Sequence, residues 1–308
     1  MTRTLVVVNP ASAGGRTGRR WPEAAHALRA HGVRFDVHLT SGPGEAEQAT
    51  RTALSDGYER VVAAGGDGTL FEVVNGFFDA AGHAVRPGAE LGLIPSGTGG
   101  DFRRTVGIPR EPLDAARLLA SGATRRIDAG RIEFAGGAAR HFVNIADCGI
   151  GGAVVAAVNR SRHKGGGLRG TAVFLGISMR TLLTFQGRRA VVTMDGDEPF
   201  RGEVESVVVA NGRYFGAGMQ IAPRADVSDG LFDVVIVTAA GKLRSLVALP
   251  SLYRGTHLSN PNVTYRRASR VQIATQDDPL LFDLEGEQIG TTPATITCLP
   301  GALTLCAA

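Results

Sequence analysis

Three times before Pro109 an apolar run ends in glycines and small residues and then gives way to a helical pattern. Leu5–Val8 leads into Asn9-Pro10-Ala11-Ser12-Ala13-Gly14-Gly15. Arg60–Ala64 leads into Gly65-Gly66-Asp67-Gly68-Thr69, and Leu91–Pro95 into Ser96-Gly97-Thr98-Gly99-Gly100-Asp101. Between them Trp21, Ala24, Ala25 and Leu28 recur at i, i+3, i+4, i+7, the stripe of an amphipathic helix that Gly32 is placed to end. Phe35, Val37 and Leu39 alternate as a strand, and a helix spans about Glu45–Ser55 until Gly57 breaks it. Strands and helices alternating in this order predict a parallel sheet covered by helices. Ligands in such sheets bind beyond the carboxyl ends of the strands, where these loops would lie.

The pattern changes at Asp128. Strand-like runs follow at His141–Ala146, Ala190–Met194, Val204–Asn211, Leu231–Val237, Val271–Ala274, Leu280–Leu284 and Ala294–Cys298, interrupted by one helix at about Ala172–Thr184. They predict a second, mostly antiparallel β domain, as a sandwich or barrel. A chain of 308 residues suits two domains at roughly 100–200 residues each. We place the α/β domain at 1–127 and the β-sandwich at 128–308. Arg160, Arg162, His163, Lys164 and Arg169 lie among glycines and read as a basic loop.

Composition excludes several classes. Apolar residues make up 44% and charged residues 20%, which is ordinary for a folded globular chain. Cys148, Cys298 and Cys306 are odd in number and scattered, which argues against a disulfide framework and for a reducing compartment. Neither they nor the histidines have metal-ligand spacing. No apolar stretch is long enough for a signal-peptide core or a membrane span. A cytoplasmic protein with peripheral membrane contact is therefore expected. The net charge of +4 suits phosphate substrates or an anionic membrane surface. No nucleic-acid motif accompanies it, so no nucleic-acid partner is expected.

The loops carry the chemistry. Glycines allow backbone N–H groups to approach phosphate oxygens, and a helix start adds a favourable dipole. Asp67 would repel a phosphate unless it holds a metal ion or water that bridges to it. The plainer alternative is a glycine turn with Asp67 as a helix cap, and the same alternative applies to Asp101. Two such loops on parallel strands of one sheet converge on one crevice, which favours a nucleotide site. Arg16, Arg19 and Arg20 follow the first loop, and arginine can hold phosphate bidentately.

Taken in order, these segments resemble the diacylglycerol kinase catalytic-domain family, which includes bacterial lipid kinases, sphingosine kinases and ceramide kinases. The resemblance rests on Asn9-Pro10 with its glycines, GGDGT running on to Val74-Asn75-Gly76, and PSGTGGDF. It continues through Asn144-Ile145-Ala146 with Gly149-Gly151, and through Gly216-Ala217-Gly218-Met219 to Ala222-Pro223. Asp226, Ser228-Asp229-Gly230-Leu231 and Glu285-Gly286-Glu287 complete it. GGDGT alone is shared with NAD kinases and phosphofructokinases; the ordered set is more specific.

The resemblance implies an NAD kinase/phosphofructokinase-like α/β domain, a β-sandwich, and a cleft between them, with the extreme C-terminus (Leu303–Leu305) returning to the first domain. It implies ATP contacts at Asn9, Thr40, Gly66, Gly68, Thr69 and Thr98. Asp67 and Asp101 would organise Mg²⁺ and the phosphates. Glu287 would be the general base with Glu285 its supporting carboxylate. Asp226, Asp229 and the Leu231 carbonyl would hold a structural metal. The implied activity is ATP-dependent phosphorylation of a lipid hydroxyl, as in diacylglycerol, at a membrane surface. A small-molecule kinase of the NAD kinase type and a non-catalytic nucleotide or lipid sensor are the alternatives. Oligomeric state is open, a homodimer being one option. Three departures stand out: Gly100 replaces the usual asparagine, Glu285 the usual aspartate, and the first loop lacks its common lysine, so an arginine must serve.

Overall fold

The computed structural model describes residues 2–96, 99–160, 167–239, 250–276 and 278–307, with backbone alone for 167–172, 174 and 175. Thr98, Arg162, His163 and Lys164 lie outside the described residues, as does the Arg169 side chain.

Strands β1 (Thr4–Val8), β2 (Phe35–Leu39), β3 (Arg60–Gly65) and β4 (Glu90–Pro95) pair in parallel in the order β2-β1-β3-β4. Side chains alternate between two covered faces, so β1 and β3 are buried throughout. On one face Val6, Val8, Val62 and Ile94 meet Ala24 and Leu28 of α1 (Ser12–Ala30) and Ala116 and Leu119 of α5 (Pro112–Ser121). On the other, Leu5, Val7, Val61 and Ala63 meet Ala53 and Leu54 of α2 (Glu45–Ser55) and Leu70 and Val73 of α3 (Asp67–Gly76). A short α4 (Asp101–Val106) follows β4. The edge strand β2 departs from its sequence pattern: Val37 and Leu39 are 40% and 58% exposed. Their alternation marks a strand but not a buried face, because β2 has β1 on one side only.

β5 (Thr124–Phe134) runs unbroken through Asp128 and starts the antiparallel part of the structure. It pairs with β6 (Ala139–Phe142) and with the long β15 (Ala294–Cys306). β7 (Ile145–Gly149), β8 (Arg188–Met194), β9 (Phe200–Ala210) and β12 (Arg270–Thr275) join through antiparallel pairs. β13 (Leu281–Leu284) adds to β7, and β14 (Glu287–Thr291) adds to β13. β10 (Phe232–Thr238) and β11 (Val263–Ala268) continue from β9. A core of Phe142, Val207, Val209, Phe232, Phe282 and Ile296 fills the sandwich.

Three sequence expectations are corrected here. The run His141–Ala146 is two strands separated by a bend at Val143-Asn144. Ile150–Arg160 is a helix, α6, in addition to α7 (Gly167–Thr184), where the sequence pattern gives one helix only. By sequence Gly286-Glu287 reads as the turn after the Leu280–Leu284 strand; Glu287 instead opens β14, and the hairpin turn is Glu285-Gly286, with φ of 54° and 95°. Two successive positive φ values match the twist of a tight antiparallel hairpin.

β15 connects the two halves. Ile296 and Cys298 lie in the sandwich core, whereas Leu303 and Leu305 lie in the core of the α/β half. Thr304 and Leu305 pair in parallel with Glu90 and Leu91 of β4, so all fifteen described strands form one hydrogen-bonded sheet. Leu305 is fully buried. We expect Leu305→Ala to destabilise the protein by about 2–5 kcal/mol, the range for deleting a buried leucine side chain. Thermal unfolding should shift downward as a single transition. An unchanged melting temperature would show that the strand end contributes no stability.

Candidate active site

The four parallel strands end at one edge, and the loops after them carry the expected residues. The Asn9 N–H donates to the Ala64 carbonyl, and Asn9 Oδ1 accepts the Ala11 N–H at 3.1 Å, which shapes the first loop. Ala13, Gly14 and Gly15 then take left-handed φ of 54–80° before the regular part of α1. Thr40 is buried after β2, its N–H donating to Val8. Gly66 precedes α3, and Gly68 and Thr69 lie in its first turn. Thr69 packs under the strand end: a Cβ on Gly65 would stand 2.4 Å from Thr69 Oγ1. Ser12 Oγ and Thr17 Oγ1 are buried near this edge without a hydrogen-bond partner among the described residues.

Asp67 and Asp101 lie close together. Asp67 Oδ2 accepts the Gly100 N–H at 3.0 Å, tying the second loop over the first. Burial pushes the Asp67 carboxyl above its ordinary value; Asp101 adds to the push, while Gly100, Arg103 and Arg104 oppose it. Asp101 is committed further: Oδ1 pairs with Arg104 Nη1 at 2.6 Å, and Oδ2 accepts the Ala217 N–H at 2.9 Å. It thus ties α4 to the Gly216–Met219 loop of the β half. Burial raises its pKa against those contacts.

The hairpin of β13 and β14 brings the third set of acids. A Cβ on Gly68 would stand 3.3 Å from Glu287 Oε1, so the β half places this carboxylate against the first turn of α3. Glu285 points inward instead. Its Oε1 accepts the Val143 and Asn144 N–H groups at 2.6 and 2.7 Å, which holds the bend between β6 and β7. Burial lifts Glu285 to about 7 despite these bonds, and the Asp67 and Asp283 charges add to the rise.

Two further acids escaped the sequence reading. Asp147 on β7 and Asp283 on β13 are directly opposed across the antiparallel pair. Phe282 and Leu284 flank Asp283 in the strand and enter the sandwich core, so Asp283 faces the other way. Asp147 accepts hydrogen bonds from the Ser206 hydroxyl and the Gly151 N–H, and burial pushes it to about 6. Asp283 rises to about 7 through burial and then the Asp147 charge. Their spacing in sequence gives no sign of contact; only the β7–β13 register makes one.

Asp226, Asp229 and Leu231 share one turn, and several of its oxygens already have partners. Asp226 Oδ1 accepts the Ser228 N–H and hydroxyl, Asp229 Oδ1 accepts the Leu231 N–H, and Asp229 Oδ2 pairs with Arg267. Oxygen donors suit a hard cation, yet Arg267 holds the charge that a cation would neutralise. As arranged, these residues do not fit a structural metal. Among the described residues no group of three or more His, Cys, Asp or Glu converges on a metal position. A cavity of about 250 Å³ beside His31, Arg34 and Arg60 opens at the amino end of the parallel strands, away from the loops.

Glycine loops at the carboxyl edge of a parallel sheet, opposed by a carboxylate from a β-sandwich, form a cleft suited to binding phosphates. Residues 3–132 match the diacylglycerol kinase catalytic domain, and residues 144–307 match the YegS C-terminal NAD kinase beta sandwich-like domain. The chain belongs to this lipid kinase family. It is 34% identical to a Xanthomonas oryzae pv. oryzae protein named "Probable lipid kinase YegS-like", over 91% of this chain and 89% of that one. It is 29% identical to a Bacillus subtilis diacylglycerol kinase over 95% and 92% of the two chains. Its fold is similar to a solved diacylglycerol kinase structure from Bacillus anthracis (TM-score 0.73, 22% identity, 100% and 97% covered). It is also similar to yeast NADH kinase (TM-score 0.56, 10% identity, 99% and 82% covered).

The opposed aspartates make stability depend on pH. Both have folded-state pKa values raised above the unfolded ones, so the folded protein holds more protons between about pH 4 and 7. Stability then falls as pH rises through that window and stays low above it. We expect the melting temperature to decline from pH 5 to pH 8, and Asp147→Asn with Asp283→Asn to flatten the decline. A double variant with the wild-type pH profile would show that the pair does not carry it.

Proposed function

We propose that the chain is an ATP-dependent lipid kinase that transfers the γ-phosphoryl group to a hydroxyl of a lipid such as diacylglycerol. The observation that carries the reading is the approach of Glu287 to Gly68. A potential base from one half thereby meets the phosphate-binding type of loop of the other. A lipid hydroxyl is a poor nucleophile until its proton has an acceptor, and a carboxylate at the mouth of the loop supplies one.

The other residues fall into consistent roles. The Asn9 loop, Thr40, Gly66, Gly68 and Thr69 would face ATP, with Thr98 in the second loop. Mg²⁺, when bound, would neutralise charge on the β- and γ-phosphates. Asp67 would hold it, since burial and the neighbouring Asp101 leave its negative charge poorly compensated. Mg²⁺ is commonly held by one or two carboxylates with phosphates and water completing the shell. Asp101 would act mainly by fixing the second loop against the β half through Ala217 and Arg104. Glu285 supports Glu287 by holding the hairpin in place rather than by touching the reacting atoms.

Among the described residues no helix is long and apolar enough to cross a membrane. A lipid acceptor would therefore be reached at a membrane surface by peripheral contact. Exposed Met179 and Leu183 on α7 are apolar groups suited to that contact.

Radiolabelled ATP with a panel of diacylglycerol, a sphingoid base, phosphatidylglycerol and NAD tests the reading. Label appearing in a lipid supports it; label only in NAD, or in nothing, overturns it. With the true acceptor, Glu287→Gln should lower turnover by about 10²–10⁴-fold while ATP affinity stays near wild type. Full turnover would move the base elsewhere. Asp67→Ala should abolish transfer with an unchanged circular dichroism spectrum, because it removes no apolar packing. Sedimentation with anionic vesicles at low salt, lost at high salt, is the expected signature of the basic segment; equal binding to neutral vesicles would exclude it.

A further inference from the structure

The second loop has a glycine at position 100 with φ of 61°, a left-handed conformation. The space beside it is filled. A Cβ on Gly100 would stand 2.9 Å from Arg103 Nε and 3.3 Å from Arg103 Cγ and Cδ. The arginine side chain therefore lies back over the loop, across the position that a side chain at residue 100 would take. The two are mutually exclusive: a larger residue at 100 displaces Arg103 from this place.

Two neighbouring arginines have partners. Arg104 pairs with Asp101, and Arg16 Nη2 donates to the Ser96 carbonyl at 2.9 Å. Arg103 is half-buried, and its guanidinium has no hydrogen-bond or ion-pair partner among the described residues. Burial disfavours its charge, the nearby Arg104 and Arg110 add to that, and Asp101 and Asp67 offset it only in part. A guanidinium does not escape such a position by deprotonating. Its stem lies over the loop at Gly100, in the space that a Cβ there would need. It lacks an anion, and it stands beside Asp67 at the mouth of the nucleotide loops.

We infer that Arg103 is a phosphate-binding residue of this site, admitted by Gly100 and aimed at the polyphosphate of a nucleoside triphosphate. The planar fork would bind two phosphate oxygens at once, which an asparagine at position 100 cannot do. Gly100 is then one half of a compensating pair and not a loss of function. The inference rests on the nucleotide-dependent reading of the site and adds to it the residue that recognises the triphosphate.

Isothermal titration of the purified full chain with ATP and with adenosine, Mg²⁺ present, tests it without any acceptor. Arg103→Ala should weaken ATP binding by roughly ten- to a hundredfold, the range for losing a charge-assisted hydrogen bond, and leave adenosine binding and the melting temperature unchanged. Arg103→Lys should recover part of the loss. Gly100→Asn should weaken ATP binding through expulsion of Arg103, and the double variant should be no weaker than the worse single one. If Arg103→Ala binds ATP as wild type does, the inference fails while the kinase reading stands. If the wild-type chain binds no ATP, both fail.

Discussion

β15 sets the geometry on which the site depends. One strand belongs to the sandwich at Ile296 and Cys298 and to the parallel sheet at Thr304 and Leu305. A crossing of this kind fixes the halves by main-chain hydrogen bonds, whose direction and register leave little rotational freedom. The hairpin that carries Glu287 precedes β15 by only a few residues. It is therefore placed relative to the α3 loop by the same strand. A second tie joins Asp101 of α4 to the Ala217 N–H of the β half. Together they hold a cleft with loops from one half and carboxylates from the other.

That arrangement concentrates negative charge at a cost. Asp67, Asp101, Glu285, Asp283 and Asp147 all have pKa values raised by burial, and several raise one another. Solvent would stabilise each charge better than the protein does. Such destabilised groups gather at sites that await a compensating ligand. Glu285 is the exception in kind, since two backbone N–H groups hold it and it serves the bend at Val143-Asn144. Its φ of 54° is one that aspartate tolerates better than glutamate, but aspartate would have to reach the same two donors with one methylene fewer.

The α/β half was legible because each strand-to-helix transition is marked locally by glycines, and α2 begins and ends at the expected residues. Local pattern fails where tertiary contact decides. β11 reads Val-Thr-Tyr-Arg-Arg-Ala and was missed, because its two arginines hide a strand that pairs along β10. α6 was missed because glycines open it; Gly152 lies so close to the Leu281 carbonyl that a Cβ there would stand 2.0 Å away. Those glycines record helix-to-strand packing, not a turn. The Glu285–Glu287 segment was found by its motif, but the direction of each acid follows from hairpin geometry that the motif does not contain. Asp147 and Asp283 needed the register of β7 on β13, which is a non-local fact.

The glycines of the two loops have a meaning beyond backbone freedom. A Cβ on Gly99 would stand 2.8 Å from Asp67 Oδ2, and one on Gly68 would stand 3.3 Å from Glu287 Oε1. Contacts under about 3.0 Å require something to move, so an alanine at 99 would press directly on Asp67. At Gly68 the neighbour is the end of a flexible side chain, and the same change would instead push Glu287 outward. The loops are thus bare both for a phosphate that would approach their N–H groups and for the protein's own carboxylates. Gly100 extends the logic with the opposite charge, since the space it leaves is taken by Arg103. Gly68, Gly99 and Gly100 each leave room for one particular charged side chain: Glu287, Asp67 and Arg103 in turn.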